Sequence, residues 1–127
     1  MFERATFTAG AQEAVWEIDG WRLGLGICRD TAVTRHTDAT AALGIDLFIA
    51  GLVHTPDELT EQDARGERIA RHTGKPVAFA TAAGRHGPGY EQSAGHSTIW
   101  SENGTVRARA VASAGDLATA VFGARER

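Results

Sequence analysis

Arg22-Leu23-Gly24-Leu25-Gly26-Ile27-Cys28-Arg29-Asp30 is the stretch that decides the fold. It is an apolar run that ends on a thiol and is followed at once by two charged residues. Leu23, Leu25 and Ile27 alternate with Gly24 and Gly26, so the run reads as a strand with one apolar face and one face of glycines. Those glycines let a second element pack close. A strand that stops on a nucleophile-capable side chain and turns into a helix presents a reactive atom at a sheet edge. A helix N-terminus beside a thiol favours its anionic form, and Arg29 adds positive charge next door. A buried free cysteine that acts as a small hydrophobe is the competing reading of Cys28.

Outward from that strand, Ala14 to Ile18 alternates as a preceding strand, and Asp19-Gly20 is a hairpin turn signal. Residues 31 to 43 read as a helix with Ala39, Ala42 and Leu43 on one side, stopped at Gly44. Ile45 to Ala50 is a nearly continuous apolar run, the pattern of a strand covered on both faces. Thr55-Pro56-Asp57-Glu58 carries a capping box with proline at the first helical position. The helix it opens runs to about Thr73, with Glu67 and Arg71 spaced to pair, and Gly74 and Pro76 end it. Pro76 to Thr81 reads as another buried strand. A glycine-rich loop from Gly84 to Gly95 carries Arg85, His86, Tyr90 and Glu91. Ser97 to Trp100 and Thr105 to Ala110 flank Asn103-Gly104 as a hairpin. Leu117 to Phe122 forms a short strand or a tail that reaches a partner. Strands alternating with helices give an α/β class with mixed sheet pairing.

Composition bounds the rest. The 127 residues fit one domain, able to bury roughly two-thirds of its unfolded surface. Sixteen acidic residues against thirteen basic ones give a net charge of −3, which argues against a nucleic-acid partner. No apolar run is long enough to span a bilayer, and Met1-Phe2-Glu3-Arg4 opens without an apolar signal core. The single cysteine cannot form an internal disulfide, so a reducing, cytoplasmic setting is expected. His36, His54, His72, His86 and His96 show no metal-ligand spacing, so no metal is expected. Gly24-Leu25-Gly26 is not a dinucleotide fingerprint, because it lies within the strand and lacks the third glycine at a helix start.

Gly26-Ile27-Cys28-Arg29-Asp30 resembles the nucleophile motif of the nitrilase, or carbon–nitrogen hydrolase, superfamily. Phe2 to Gly10 looks like the segment before that family's hairpin, and Val15 to Gly24 looks like the hairpin itself. Leu43 to Ile49 is similar to its helix–Gly-Ala–strand unit. Arg65 to Ile69 lies where the family often has an Arg-Ala-Ile-Glu helix. Gly95 to Ile99 followed by Asn103 to Val106 is similar to its late Gly-x-Ser hairpin. The resemblance covers nearly the whole chain and implies half of an α-β-β-α sandwich, a mixed sheet with helices on one face. Residues 1–127 are then a single partial domain with the amino-terminal half absent, whose unmatched inner face favours a homo-oligomer or pairing with the missing half.

The resemblance also implies roles. Cys28 is the nucleophile toward a small non-peptide amide or nitrile, and the Arg29 backbone N–H is an oxyanion donor. Glu3 corresponds to a second glutamate that many members place before the cysteine. His54 follows the strand edge where members place substrate-pocket residues. No organic cofactor is implied. The family's general-base glutamate and its lysine lie upstream of the segment that begins at Phe2. Lys75 reads instead as a charge balancing a helix C-terminus. The isolated chain is therefore expected to turn over little substrate, or to be a non-catalytic remnant or partner subunit. A glutamine-amidotransferase-like cysteine fold is set aside, since the chain has no Gly-x-Cys-x-Gly turn and no clear histidine partner.

Overall fold

The computed structural model describes residues 12–85, 87–88 and 91–123. Glu3, the rest of the segment from Phe2 to Gly10, and His86 and Tyr90 lie outside the described residues. Strands β1 (Ala14–Ile18) and β2 (Trp21–Ile27) form the hairpin expected at Asp19-Gly20, where φ reaches 50° and 82°. Next come helix α1 (Thr34–Ala41), β3 (Leu47–Leu52), helix α2 (Leu59–Thr73) and β4 (Val77–Thr81). A two-residue pair, β5 (Ala83–Gly84) with β6 (Ser93–Ala94), precedes β7 (Thr98–Trp100) and β8 (Val106–Arg109).

Six of these strands make one sheet in the order β1-β2-β3-β4-β7-β8. The β2, β3 and β4 neighbours are parallel, and the flanking pairs are antiparallel. The sheet is therefore mixed, as the alternation of strands and helices required.

Register sorts the side chains. Gly24 pairs with Phe48, Phe48 with Val77, and Val77 with Trp100, so these four share one face, the face that carries both helices. The core of Ile45, Phe48, Ala50, Leu52, Ile69, Ala70, Val77, Phe79 and Trp100 lies there. A Cβ on Gly24 would stand 2.6 Å from Thr40 Cγ2, and one on Gly26 2.8 Å from Phe48 Cζ. The glycine face of β2 is thus the close-packing face its sequence implied. On α2, Gly66 plays the same part: its missing Cβ makes room for the Trp100 ring, which also meets Phe79 edge-on at 5.0 Å.

The opposite face carries Trp16, Ile18, Leu23, Leu25, Ile27, Leu47, Ile49, Ala78 and Ile99, and among the described residues no helix covers it. Ile27 is 74% exposed. An open groove of about 640 Å³ runs over this face, bordered by Leu25, Ile27, Ile49, Ile99 and Leu117.

Several expectations shift. Thr34–Ala41 is shorter than the expected helix at 31 to 43, because residues 28–32 form a separate 3-10 turn. Its buried side is Thr37 and Thr40, not Ala42 and Leu43. The Gly24 contact leaves room only for small side chains, and the Thr40 hydroxyl donates to His36 O at 2.7 Å, so it is buried without loss of its hydrogen bond. Arg22 ends α1 by donating to Leu43 O at 2.8 Å and Gly44 O at 3.1 Å, with Gly44 at φ 72°. The Thr55–Glu58 capping box forms, although its first turn is 3-10 before α2 begins. Arg71 and Glu67 pair at 3.1 Å, and Gly74 ends α2 at φ 67°. Leu117 to Phe122 joins no strand ladder. It lies along the open face, tied by Arg107, which donates to Val121 O at 2.9 Å and stacks 4.8 Å over the Phe122 ring.

Candidate active site

The three parallel strands end at one edge of the sheet, where open α/β sheets present ligand-contacting residues. Cys28 leaves β2 there, and Val53 and His54 leave β3 beside it. Cys28 Sγ lies 3.7 Å from Val53 O. The strand stops at Ile27, one residue earlier than its sequence suggested, because Cys28 adopts φ +34° and opens the 3-10 turn Cys28–Ala32. A non-glycine residue in that region is strained and persists only where its surroundings hold it.

Several bonds hold it. Asp30 accepts from the Ile27 N–H at 3.0 Å, pinning the end of the strand to the turn. Thr31, fully buried, donates its hydroxyl to Cys28 O. Helix α2 supplies the rest. Arg65 Nη1 lies 3.4 Å from Cys28 O and 3.2 Å from Thr31 Oγ1, and Arg68 donates to Thr31 O. Glu61 Oε1 accepts from Arg65 Nε at 2.9 Å and fixes the guanidinium. These α2 arginines escaped the sequence reading as site residues. The signal was present as Glu61, Arg65 and Arg68 on one helix face, but nothing in spacing alone told which loop they grip.

His54 is buried beneath the same edge. Its Nδ1 lies 3.0 Å from Gln62 Oε1, and Gln62 Nε2 donates to Gly95 O at 3.1 Å. That network makes Nδ1 the donor and sets the tautomer. Its carbonyl accepts from Ala94 N at 2.7 Å, which joins the end of β3 to β6. Cys28, Arg29 and His54 are thus brought to one edge, while Glu3 lies outside the described residues. Lys75 precedes β4 and so sits at the opposite edge, about a strand length from the thiol at roughly 3.3 Å per residue.

Among the described residues no three His, Cys, Asp or Glu side chains group as metal ligands. Among the same residues no helix is long and apolar enough to cross a membrane.

The fold is similar to that of solved nitrilase-superfamily structures. The amidase from Nesterenkonia sp. AN1, in a mutant form with acrylamide added at its active-site cysteine, superposes with a TM-score of 0.78 at 22% identity, over 94% of this chain and 47% of that one. Nit3 of Saccharomyces cerevisiae, described as a member of branch 10 of the nitrilase superfamily, gives 0.75 at 20% identity, over 87% of this chain and 41% of that one. The NitFhit protein of C. elegans gives 0.75 at 25% identity, over 84% of this chain and 26% of that one. The chain spans less than half the length of each of these proteins. Among curated proteins there is no match. The nitrilase-like mixed sheet with helices on one face agrees with a match to the carbon-nitrogen hydrolase family over residues 1–121, and the chain belongs to that family.

Proposed function

We propose that this chain is the nucleophile-bearing half of an amidase acting on a small non-peptide amide, with Cys28 as nucleophile. The observation that carries the reading is the φ of +34° at Cys28, at the carboxyl edge of a parallel strand and opening a turn. Family membership and an amidase among the fold neighbours support it.

The thiolate of Cys28 attacks the amide carbon, and the carbonyl oxygen takes the negative charge. The Arg29 N–H donates to that oxygen. The C–N bond breaks, the amine leaves with a proton, and a thioester remains on Sγ. Water then attacks the thioester, releases the acid and returns the thiol. His54, locked to Gln62 and next in the chain after Val53, whose carbonyl meets the thiol, is the candidate substrate-contacting residue at the end of β3. The proton acceptor and the lysine that the resemblance implies come from a second half-domain packed on the open sheet face. General-base assistance contributes about two to four orders of magnitude, so the isolated chain turns over little substrate. A working thiol also calls for a reducing, cytoplasmic setting.

A second reading keeps the fold and drops the turnover: the chain acts as a non-catalytic partner subunit. Its support is the apolar face, which includes Ile27 at 74% exposure and suits a sheet-on-sheet partner, a second copy included. Joining the amino-terminal half of a related amidase to this chain, on one polypeptide or in trans, separates the two. Recovery of amide hydrolysis that Cys28→Ala abolishes is the expected result. Hydrolysis that survives Cys28→Ala, or no hydrolysis from a folded hybrid, overturns the catalytic reading.

A further inference from the structure

We propose that Arg65 is a positioning residue that aims the Arg29 N–H at the reacting oxygen by gripping the Cys28 carbonyl from helix α2. The inference rests on the reading of Cys28 as nucleophile and adds a residue to it.

The argument begins with the peptide between Cys28 and Arg29. No cis peptide occurs among the described residues, so its C=O and N–H point in opposite directions within one rigid plane. Whatever fixes the carbonyl therefore fixes the direction of the N–H. Cys28 O is held by the Thr31 hydroxyl and by Arg65 Nη1 at 3.4 Å. Both donors belong to the helix-covered side of the turn: Thr31 is fully buried and Arg65 projects from α2. The Arg29 N–H is consequently turned away from α2.

Arg65 is suited to this work because its own position is over-determined. Nη1 reaches Thr31 Oγ1 at 3.2 Å as well as the carbonyl, and Nε binds Glu61 at 2.9 Å. A planar guanidinium bound at both ends cannot swing without breaking these three contacts. A charged donor on the carbonyl also polarises the peptide and strengthens its N–H as a donor. Arg68, bound to Thr31 O, braces the same turn without touching the Cys28 carbonyl. The positive φ at Cys28 needs such bracing to persist.

Two reactions of the full chain separate aim from mere folding. With p-nitrophenyl acetate, the Cys28 thiolate attacks the ester carbon, an oxyanion forms, p-nitrophenolate leaves and an acetyl thioester remains. With iodoacetamide, the thiolate displaces iodide from a saturated carbon and no oxyanion forms. Arg65→Met is expected to slow acylation by about tenfold to a hundredfold, less than or equal to loss of a whole oxyanion donor. Alkylation at the same thiol should keep its rate. Arg65→Lys, which keeps the charge and loses the fork, should fall between Arg65→Met and the parent chain.

An unchanged ratio of acylation to alkylation in both variants overturns the proposal. So does a parallel fall of both rates that tracks a lowered melting temperature, which marks a structural role alone. A parent chain that acylates no faster than its urea-unfolded form holds no aimed donor, which also overturns it. Cys28→Ala reports separately on the reading beneath: acylation that persists in that variant sinks the nucleophile assignment itself.

Discussion

The two faces of the sheet are built from the same strands and treated in opposite ways. On one, glycines at 24, 26 and 66 bring α1, α2 and the strands into contact, and Phe48 and Ile69 are fully buried. On the other, Trp16, Ile18 and Ile27 remain exposed beside a groove, bordered by a segment whose Leu117 is 82% exposed. Both faces are apolar, so hydrophobicity alone does not distinguish a finished core from an unfinished one. The difference lies in fit: the covered face has small residues where backbones must approach, and the open face has large ones met only by the segment Leu117 to Phe122. That asymmetry is what a half-sandwich would look like to its other half.

Large-to-small changes should break the comparison most sharply. Phe48→Ala removes a fully buried ring from the covered face and should cost about 3–5 kcal/mol. Ile27→Ala, on the open face, should change stability by less than about 0.5 kcal/mol. Urea unfolding midpoints at constant slope measure both. Equal losses at the two positions would mean that the open face is already covered in solution.

Adding a methyl group tests the same contrast with the sign reversed. Gly24→Ala drives a Cβ to within 2.6 Å of Thr40 Cγ2 and should destabilise by about 1–3 kcal/mol. Gly51→Ala, on the open face of the neighbouring strand β3, meets nothing within 4 Å. It should be neutral or stabilise by about 0.5–1 kcal/mol, since glycine in a strand carries an entropic penalty. Thermal melts of the two variants side by side decide the matter, and a destabilised Gly51→Ala would place something against that face.

Much of the covered layer was legible in the sequence, because its signals are local. Asp19-Gly20, the Thr55–Glu58 box, Gly74 and Asn103-Gly104 each set a turn or cap by their own backbone preferences, and the structure places each where it was read. The alternation of β2 also told its two faces apart. What the sequence could not reveal depends on contacts distant along the chain. Thr40 looks like a surface residue until Gly24 is known to lie against it. Arg65 looks like half of an exposed ion pair until the turn at Cys28, 37 residues earlier, is found beneath it. Leu117 to Phe122 has the residues of a strand, yet a strand needs a neighbour's edge, and here it crosses a face instead.

Acid should show the smallest difference between the faces, and one carboxylate on each side illustrates it. On the covered layer, the Thr55 backbone N–H and hydroxyl hold Glu58 below the usual carboxylate range. Beside the open face, the Val111 and Leu117 N–H groups hold Asp116 below it in the same way. A carboxylate depressed by folding stabilises above its unfolded pKa, and that contribution is lost as pH falls through the folded value. Both groups are exposed, so solvent screens them and each effect is small. The consequences differ in place. Protonating Glu58 frees the first turn of α2, whose cap reads out as helix fraying, and Thr55→Ala should cost about 1 kcal/mol at neutral pH. Protonating Asp116 releases the bend that sets Leu117 and Ala118 beside the groove. Asp116→Ala at neutral pH should imitate that release without acid, raising dye binding to the open face while leaving the melting temperature nearly unchanged. If dye binding stays level and stability falls instead, the bend belongs to the core rather than to the open face, and the contrast between the two faces is less complete than their packing suggests.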